Sequence, residues 1–233
     1  MIRGSRTVLR PARHDDLDML LKWSNDAETT RWLLIDPPMT RAAESAWLDY
    51  MLSSTTDRLF VICMTEGTAD LRAAGTPSGT PAQTPAGSQD GVADGAPDNT
   101  LDSAPIGTIT LSQISRKHRK ARVGIAIFEE ASRNRGFGTE AMELLLDYSF
   151  TTLGLHRVEL DVFEDNERAI RSYKKCGFVS EGMVRECYLK NGNFISAILM
   201  SILEDEWKNV RGMRPENTIK PGETPEFGQT SNS

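Results

Sequence analysis

Two short stretches hold residue types whose spacing could do chemistry. The first is Arg133-Asn134-Arg135-Gly136-Phe137-Gly138-Thr139. An apolar-alternating run, 121–128, precedes it and a run with helical spacing, 140–150, follows it, so the order is strand, glycine-rich turn, helix start. The first turn of a helix presents backbone N–H groups without intrahelical partners and a partial positive charge. Glycines carry no side chain, so an anion can close on those donors. Arg133 and Arg135 add positive charge beside them. The chemistry this implies is the cradling of a pyrophosphate. A tight turn with no ligand would use the same two glycines, so the second stretch matters.

That stretch runs from Asn166 to Phe178 and contains Ala169, Tyr173 and Gly177. Asn166 suits a helix N-cap and Gly177 suits the residue just past a helix C-terminus, which predicts a helix over 166–176. Taken together, the two stretches resemble the GNAT family of acetyl-CoA-dependent N-acetyltransferases. The family's Arg/Gln-x-x-Gly-x-Gly/Ala pattern is matched by Arg133, Gly136 and Gly138. Its downstream Asn-x-x-Ala/Ser-x-x-x-Tyr-x-x-x-Gly-Phe pattern is matched by Asn166, Ala169, Tyr173, Gly177 and Phe178. Within the family the chain looks most like the branch containing ribosomal-protein alanine acetyltransferases. The features that carry this are Leu9-Arg10-Pro11 with Asp16, Trp23-Ser24-Asn25-Asp26, Gly138-Thr139-Glu140-Ala141, Asn191-Gly192 and Glu206-Trp207.

The resemblance implies an α+β fold: a central, mostly antiparallel sheet with two splayed strands, flanked by about four helices. It implies acetyl-CoA as cosubstrate and a primary amine as acceptor, with direct attack in a ternary complex. The pantetheine arm would pair with exposed backbone of the first splayed strand. Ile127 and Phe128 would then lie beside the thioester, with a backbone N–H near one of them facing the oxyanion. Arg133, Asn134, Arg135, Gly136, Phe137, Gly138 and Thr139 would hold the pyrophosphate. Asn166, Ala169 and Tyr173 would complete the cofactor side, with Tyr173 serving the departing thiolate as acid. Only the free-base amine attacks, and an amine of pKa about 10 is protonated at neutral pH. Glu129 and Glu159 are the candidate proton acceptors, with Asp161 and Glu130 as further possibilities. Glu140 reads as a structural helix-start carboxylate.

The elements that must position these residues are legible in outline. A strand at Val8-Leu9-Arg10-Pro11 leads to a helix from about residue 14 with Leu17, Leu20 and Leu21 inward. Thr40 caps a second helix whose expected core stripe is Ala43, Ala46, Trp47 and Tyr50. Strands follow at 59–64, 106–111 and 156–162, and Asn191-Gly192 marks a hairpin between 184–190 and 194–203. Residues 73–105 contain neither Lys nor Arg, and no aromatic residue, and are rich in Ala, Gly, Pro, Ser, Thr and Asp. Such a stretch buries too little apolar surface to offset its ordering entropy, so 67–105 is expected to be a disordered insertion within a domain spanning 1–207, and 208–233 a disordered tail.

The chain has 233 residues and a net charge of −6, so no basic surface argues for nucleic acid. No apolar run is long enough to cross a bilayer, and no signal peptide core follows the first residues, so a cytoplasmic location and no membrane partner are expected. The expectation includes a homodimer. Cys63, Cys176 and Cys187 sit in apolar contexts and are expected to be buried free thiols; no His/Cys cluster has metal-ligand spacing, so no metal is expected. Two rivals share the glycine turn. One is a dinucleotide site, against which Gly136 lies too far beyond its strand. The other is a CoA-binding regulatory module without turnover.

Overall fold

The structure is a computed structural model that describes residues 1–65 and 104–212. The expected insertion lies almost wholly outside the described residues. So does the expected tail from 213 onward.

Alternating apolar residues build one sheet. Its strands are β1 (Ile2–Arg3), β2 (Thr7–Pro11), β3 (Arg58–Met64), β4 (Pro105–Ser115), β5 (Lys120–Ile127), β6 (Arg157–Phe163), β7 (Val179–Lys190) and β8 (Asn193–Leu203). They lie in the order β1-β2-β3-β4-β5-β6-β8-β7. Every neighbouring pair is antiparallel except β5 with β6. That one parallel pair holds for only three positions, Lys120↔Arg157, Ala121↔Val158 and Arg122↔Glu159, and then the strands part. This is the splayed pair the sequence led one to expect.

The two faces of the sheet bury different cores. Phe60, Ile62, Val123, Val158, Leu160 and Val162 face one way, onto α4 (Phe137–Asp147) and the apolar side of α5 (Glu167–Lys175). Leu59, Val61 and Cys63 face the other way, onto Leu20 and Trp23 of α1 (Leu17–Ser24) and Leu48 and Met51 of α3 (Arg41–Ser53). The short α2 (Ala27–Thr30) follows α1, and α6 (Glu204–Gly212) closes the described chain. Six α-helices thus stand among the described residues, rather than about four, and α6 continues past residue 207 into what was expected to be tail.

Several local expectations need correcting. In α3 the buried positions are Glu44, Leu48 and Met51, whereas Ala43 and Ala46 are exposed, and Trp47 and Tyr50 are 38% and 57% exposed. Leu48 and Met51, one turn apart, fill the gap against α1, which turns the larger aromatics outward; the Tyr50 hydroxyl instead donates to Asp57 at 3.1 Å. Cys63 and Cys176 are buried, but Cys187 is exposed, because β7 is the sheet's edge strand and almost none of its residues is covered.

The motif residues near the N-terminus have structural reasons. Asp16 takes two bonds from the Arg10 guanidinium, at 2.8 and 2.5 Å, and one from the Arg13 backbone N–H at 2.8 Å, which fixes the entry to α1. Trp23 stacks on Phe128 with ring centroids 4.3 Å apart. Asn25 bridges to Met39 through both ends of its amide, and Asp26 caps α2 by accepting from the Thr29 N–H at 2.7 Å. The run Trp-Ser-Asn-Asp therefore sets α2 over the open end of the parted strands.

Candidate active site

The glycine turn folds as its sequence requires. Asn134 and Gly136 both have positive φ, +60° and +87°, and Gly136 is the N-cap of α4. The first intrahelical bond runs from the Glu140 N–H to the Gly136 carbonyl at 3.0 Å. The N–H groups of Phe137, Gly138 and Thr139 precede it and are the orphan donors of the helix start. The loop is braced from behind. Glu140 accepts from the Arg6 N–H at 2.8 Å, the Arg6 Nε at 3.1 Å, the Ser5 hydroxyl at 3.1 Å and the Thr7 N–H at 3.3 Å. Arg6 also donates to the Arg135 carbonyl at 3.0 Å. Glu140 is structural, as read, but its work is to tie the start of β2 to the turn.

The two arginines of the turn do not simply point at a phosphate. Arg133 donates to the carbonyls of Ile127 and Phe128 at 3.1 and 3.0 Å and to Glu28 at 3.1 Å, so it acts as a strut holding the end of β5. Arg135 is exposed, donates to the Ala131 carbonyl at 3.3 Å, and does not line the cavity. Phe137 is a core side chain, 1% exposed, with the Arg6 guanidinium over its ring; only its backbone faces the loop.

Where β5 and β6 part, a cavity of about 720 Å³ opens. Asn134, Gly136, Gly138 and Thr139 line one end, Ile125, Ala126 and Ile127 the middle, Asn166, Ala169 and Tyr173 one wall, and Glu28, Trp32, Leu33 and Tyr188 the far end. The register shows which main-chain groups face it. Phe128 donates to the Ile106 carbonyl at 2.9 Å, so the even-numbered residues of β5 pair with β4. Val123, Ile125 and Ile127 therefore turn their backbone groups toward β6; the last ladder pair, Arg122↔Glu159, takes the Val123 N–H, and the open edge begins after it. Of the two expected oxyanion donors, the Phe128 N–H is already used and the Ile127 N–H is the one that faces the opening.

On the wall, Asn166 caps α5 by accepting from the Ala169 N–H at 3.2 Å, which leaves its amide nitrogen as a donor. Tyr173 packs against Phe178, ring centroids 5.9 Å apart, and burial pushes its phenol up to about 12. It stays protonated through the physiological range, as a hydrogen-bond donor must. The Thr139 hydroxyl lies 3.2 Å from that of Ser172 and ties α4 to α5.

Of the four carboxylates raised as acceptors of the amine's proton, only Asp161 lines the cavity; Glu129, Glu130 and Glu159 do not. Glu129 is exposed at the start of a 3-10 turn, outside the lining. Glu159 is 8% exposed and surrounded by Arg157 at 2.8 Å, Arg122 at 3.5 Å and Lys120 at 3.6 Å. It sits where the strands are still paired, and its position in the ladder keeps it from the opening. Sequence reading missed the far wall. Lys190, 9% exposed, donates to the carbonyls of Thr30 (2.8 Å) and Leu33, and burial pushes its ammonium down. It pins the segment after α2 across the hairpin; the only signal in the sequence was that Tyr188 and Lys190 share one face of β7.

A family model described as an acetyltransferase (GNAT) domain matches residues 6–179. Spermidine N(1)-acetyltransferase of Vibrio cholerae is 38% identical over 104 residues, 45% of this chain and 60% of that protein. The enzyme of the same name from Escherichia coli K12 is 33% identical over 120 residues, 52% and 64%. An L-amino acid N-acetyltransferase of E. coli K12 is 35% identical over 94 residues, 40% and 57%. The matched part of the chain thus spans about three-fifths of the length of these relatives. Among solved structures, a V. cholerae spermidine N-acetyltransferase in complex with CoA and spermine superposes with a TM-score of 0.68 at 23% identity, covering 88% of this chain and 100% of that one; this is a likeness of fold. These relatives do not single out the ribosomal-protein branch suggested by the sequence.

Proposed function

This chain belongs to the GNAT acetyltransferase family, and we propose that it moves an acetyl group from acetyl-CoA to a primary amine by direct attack. One observation carries the reading: the orphan N–H groups of Gly138 and Thr139 open onto the same cavity as the unpaired β5 edge and Tyr173. A diphosphate, a diamide arm and a thioester need those three features in that order. The residues fit the group: Gly136 and Gly138 leave the helix start bare, and the Ile125 N–H and carbonyl with the Ile127 N–H offer both donors and acceptors to an extended amide chain.

When bound, acetyl-CoA supplies an activated acyl carbon and a thiolate leaving group. The chain's own groups do the rest. The Ile127 N–H is aimed at the gap, where a developing oxyanion would accept from it; one such donor is worth about 3 kcal/mol of barrier. Tyr173 donates to the departing sulfur. With its phenol held near 12, it stabilises the thiolate by hydrogen bonding, while the net proton comes from the acceptor nitrogen. Asn166 offers its amide nitrogen beside Tyr173.

For the acceptor, the relatives named for spermidine support a polyamine, and the one named for amino acids supports an α-amine. A protein N-terminus is the finer alternative raised by the ribosomal-protein branch. The reading also includes a homodimer and a cytoplasmic setting; no helix among the described residues is long and apolar enough to cross a membrane. The test is thiol release from acetyl-CoA across spermidine, amino acids and N-terminal peptides. CoA binding without thiol release on any of them would leave a binding module instead of an enzyme.

A further inference from the structure

We propose that Asp161 seats the acceptor's ammonium group, binding and orienting the attacking nitrogen at the mouth of the parted strands. This rests on the acetyltransferase reading above and adds the residue that fixes its acceptor end.

Position comes first. The last β5–β6 pair is Arg122↔Glu159, so Asp161 is the next residue of β6 on that face and the first to stand where β5 has moved away. Val158, Leu160 and Val162 point to the α4 core. Asp161 therefore projects from the opposite face of the sheet to the one that carries the phosphate turn and Tyr173. An acceptor entering past α2 meets Asp161 on one side of the gap, with the acyl carbon presented from the other.

The contacts of the carboxylate point the same way. Two carboxylates line the cavity, Glu28 and Asp161. Glu28 is 67% exposed at its side chain and occupied by Arg133 at 3.1 Å. Asp161 is 22% exposed and receives two hydrogen bonds, one from the Tyr188 hydroxyl at 2.8 Å and one from Arg122. Both end on Oδ2. Among the described residues Oδ1 has no partner. The Tyr188 phenol is pushed up to about 12, by burial first and by its bond to Asp161 second, so it remains the donor in that pair. A carboxylate with two donors fixed on one oxygen is held in one orientation, with its other oxygen left as an acceptor. That oxygen is a strong acceptor for a charged N–H. What it suits is a primary alkylammonium bound through Oδ1. The amine loses one proton to water before attack. Its lone pair then forms the C–N bond, the C–S pair leaves with sulfur, a second proton passes from the nitrogen to that thiolate, and the remaining N–H keeps the contact with Oδ1.

The test is calorimetry on the full chain, first with CoA alone and then with spermidine added to the CoA-saturated protein. Asp161→Asn should weaken spermidine at least tenfold, which is 1.4 kcal/mol, while CoA affinity stays within twofold. In steady state the same variant should raise the KM for spermidine and leave that for acetyl-CoA unchanged. In the native complex n-propylamine should bind at least tenfold better than 1-propanol, a comparison that needs no variant and so stands even if Asp161→Asn fails to fold. Normal CoA heat with equal spermidine affinity in native protein and variant would overturn the seat alone. Equal affinity for propylamine and propanol would overturn it too. Absence of any CoA heat would overturn the reading of the phosphate turn, and the seat with it.

Discussion

The two glycines of the turn look alike in sequence but differ in what a methyl group would do at each. At Gly136, φ is +87° and an added Cβ would lie 3.0 Å from the Arg6 Nη2. An L-residue in that left-handed region costs about 1–2 kcal/mol. For a domain of this size each kcal/mol lowers Tm by about 2–4 °C, so Gly136→Ala should lose about 2–8 °C. The displaced Arg6 also holds the Arg135 carbonyl and Glu140, so the strain falls on the segment that aims the N–H groups of Phe137, Gly138 and Thr139. Misaligning one charge-assisted hydrogen bond to a diphosphate costs about 1.5–3 kcal/mol, or roughly ten- to a hundredfold in CoA affinity. At Gly138 the nearest atom to an added Cβ is the Ile127 Cγ1 at 3.4 Å, an ordinary contact, and φ is unstrained. Gly138→Ala should therefore melt within about 2 °C of the native chain and bind CoA within about threefold. Calorimetry with CoA and a thermal melt on both variants make the comparison. Equal damage from the two substitutions, or a harmless Gly136→Ala, would refute the reasoning.

Tyr173→Phe should lower the acetylation rate by about a hundredfold or more with acetyl-CoA affinity unchanged, read by single-turnover kinetics beside calorimetry. Glu129→Gln should leave the rate within about twofold, since the carboxylate lies outside the cavity lining; a large loss would put a proton path where the structure has none. Tyr173 and Tyr188 are both pushed up to about 12, against about 10 when unfolded. Their contribution to stability is fully present below pH 10 and is lost as the pH rises toward 12. Urea midpoints should therefore fall through that window, and less steeply in Tyr173→Phe. Glu140→Ala removes the acceptor of four bonds from Ser5, Arg6 and Thr7 and should destabilise the fold by about 2 kcal/mol, measured by urea unfolding.

What the sequence made legible was what is decided locally. A positive φ at Gly136 and Gly177, the caps at Thr40 and Asn166, and the Asn191-Gly192 hairpin follow from one residue and its neighbours, and all are where the residue types put them. The misreadings came from questions only packing answers. The stripe of α3 was drawn through Trp47 and Tyr50 because aromatics dominate any apolar face, yet Leu48 and Met51 fit the space under α1. Glu159 was a reasonable base by proximity in sequence. Whether it reaches the reacting atoms depended on where the parallel ladder ends, two residues before Asp161. For Lys190 the sequence offers only its shared face with Tyr188, because its bond to Thr30 spans 160 positions.

The end of that ladder is what turns a sheet into a site. Below it, Arg157, Arg122 and Lys120 gather around Glu159, and Glu181 takes two bonds from Arg157 at 2.5 and 2.6 Å, so the closed part is clamped by side chains as well as by main chain. Above it, Arg133 holds the carbonyls of Ile127 and Phe128 and so fixes the end of β5. Between the two clamps, the Val123 carbonyl, Ile125 and the Ile127 N–H have no strand to satisfy them. Backbone polar groups left dry would cost about 1–3 kcal/mol each, so the gap must hold either water or an amide chain. An extended molecule with alternating amides and a charged diphosphate satisfies that edge and the start of α4 together. A pair of strands that stayed zipped would leave those helix donors facing nothing.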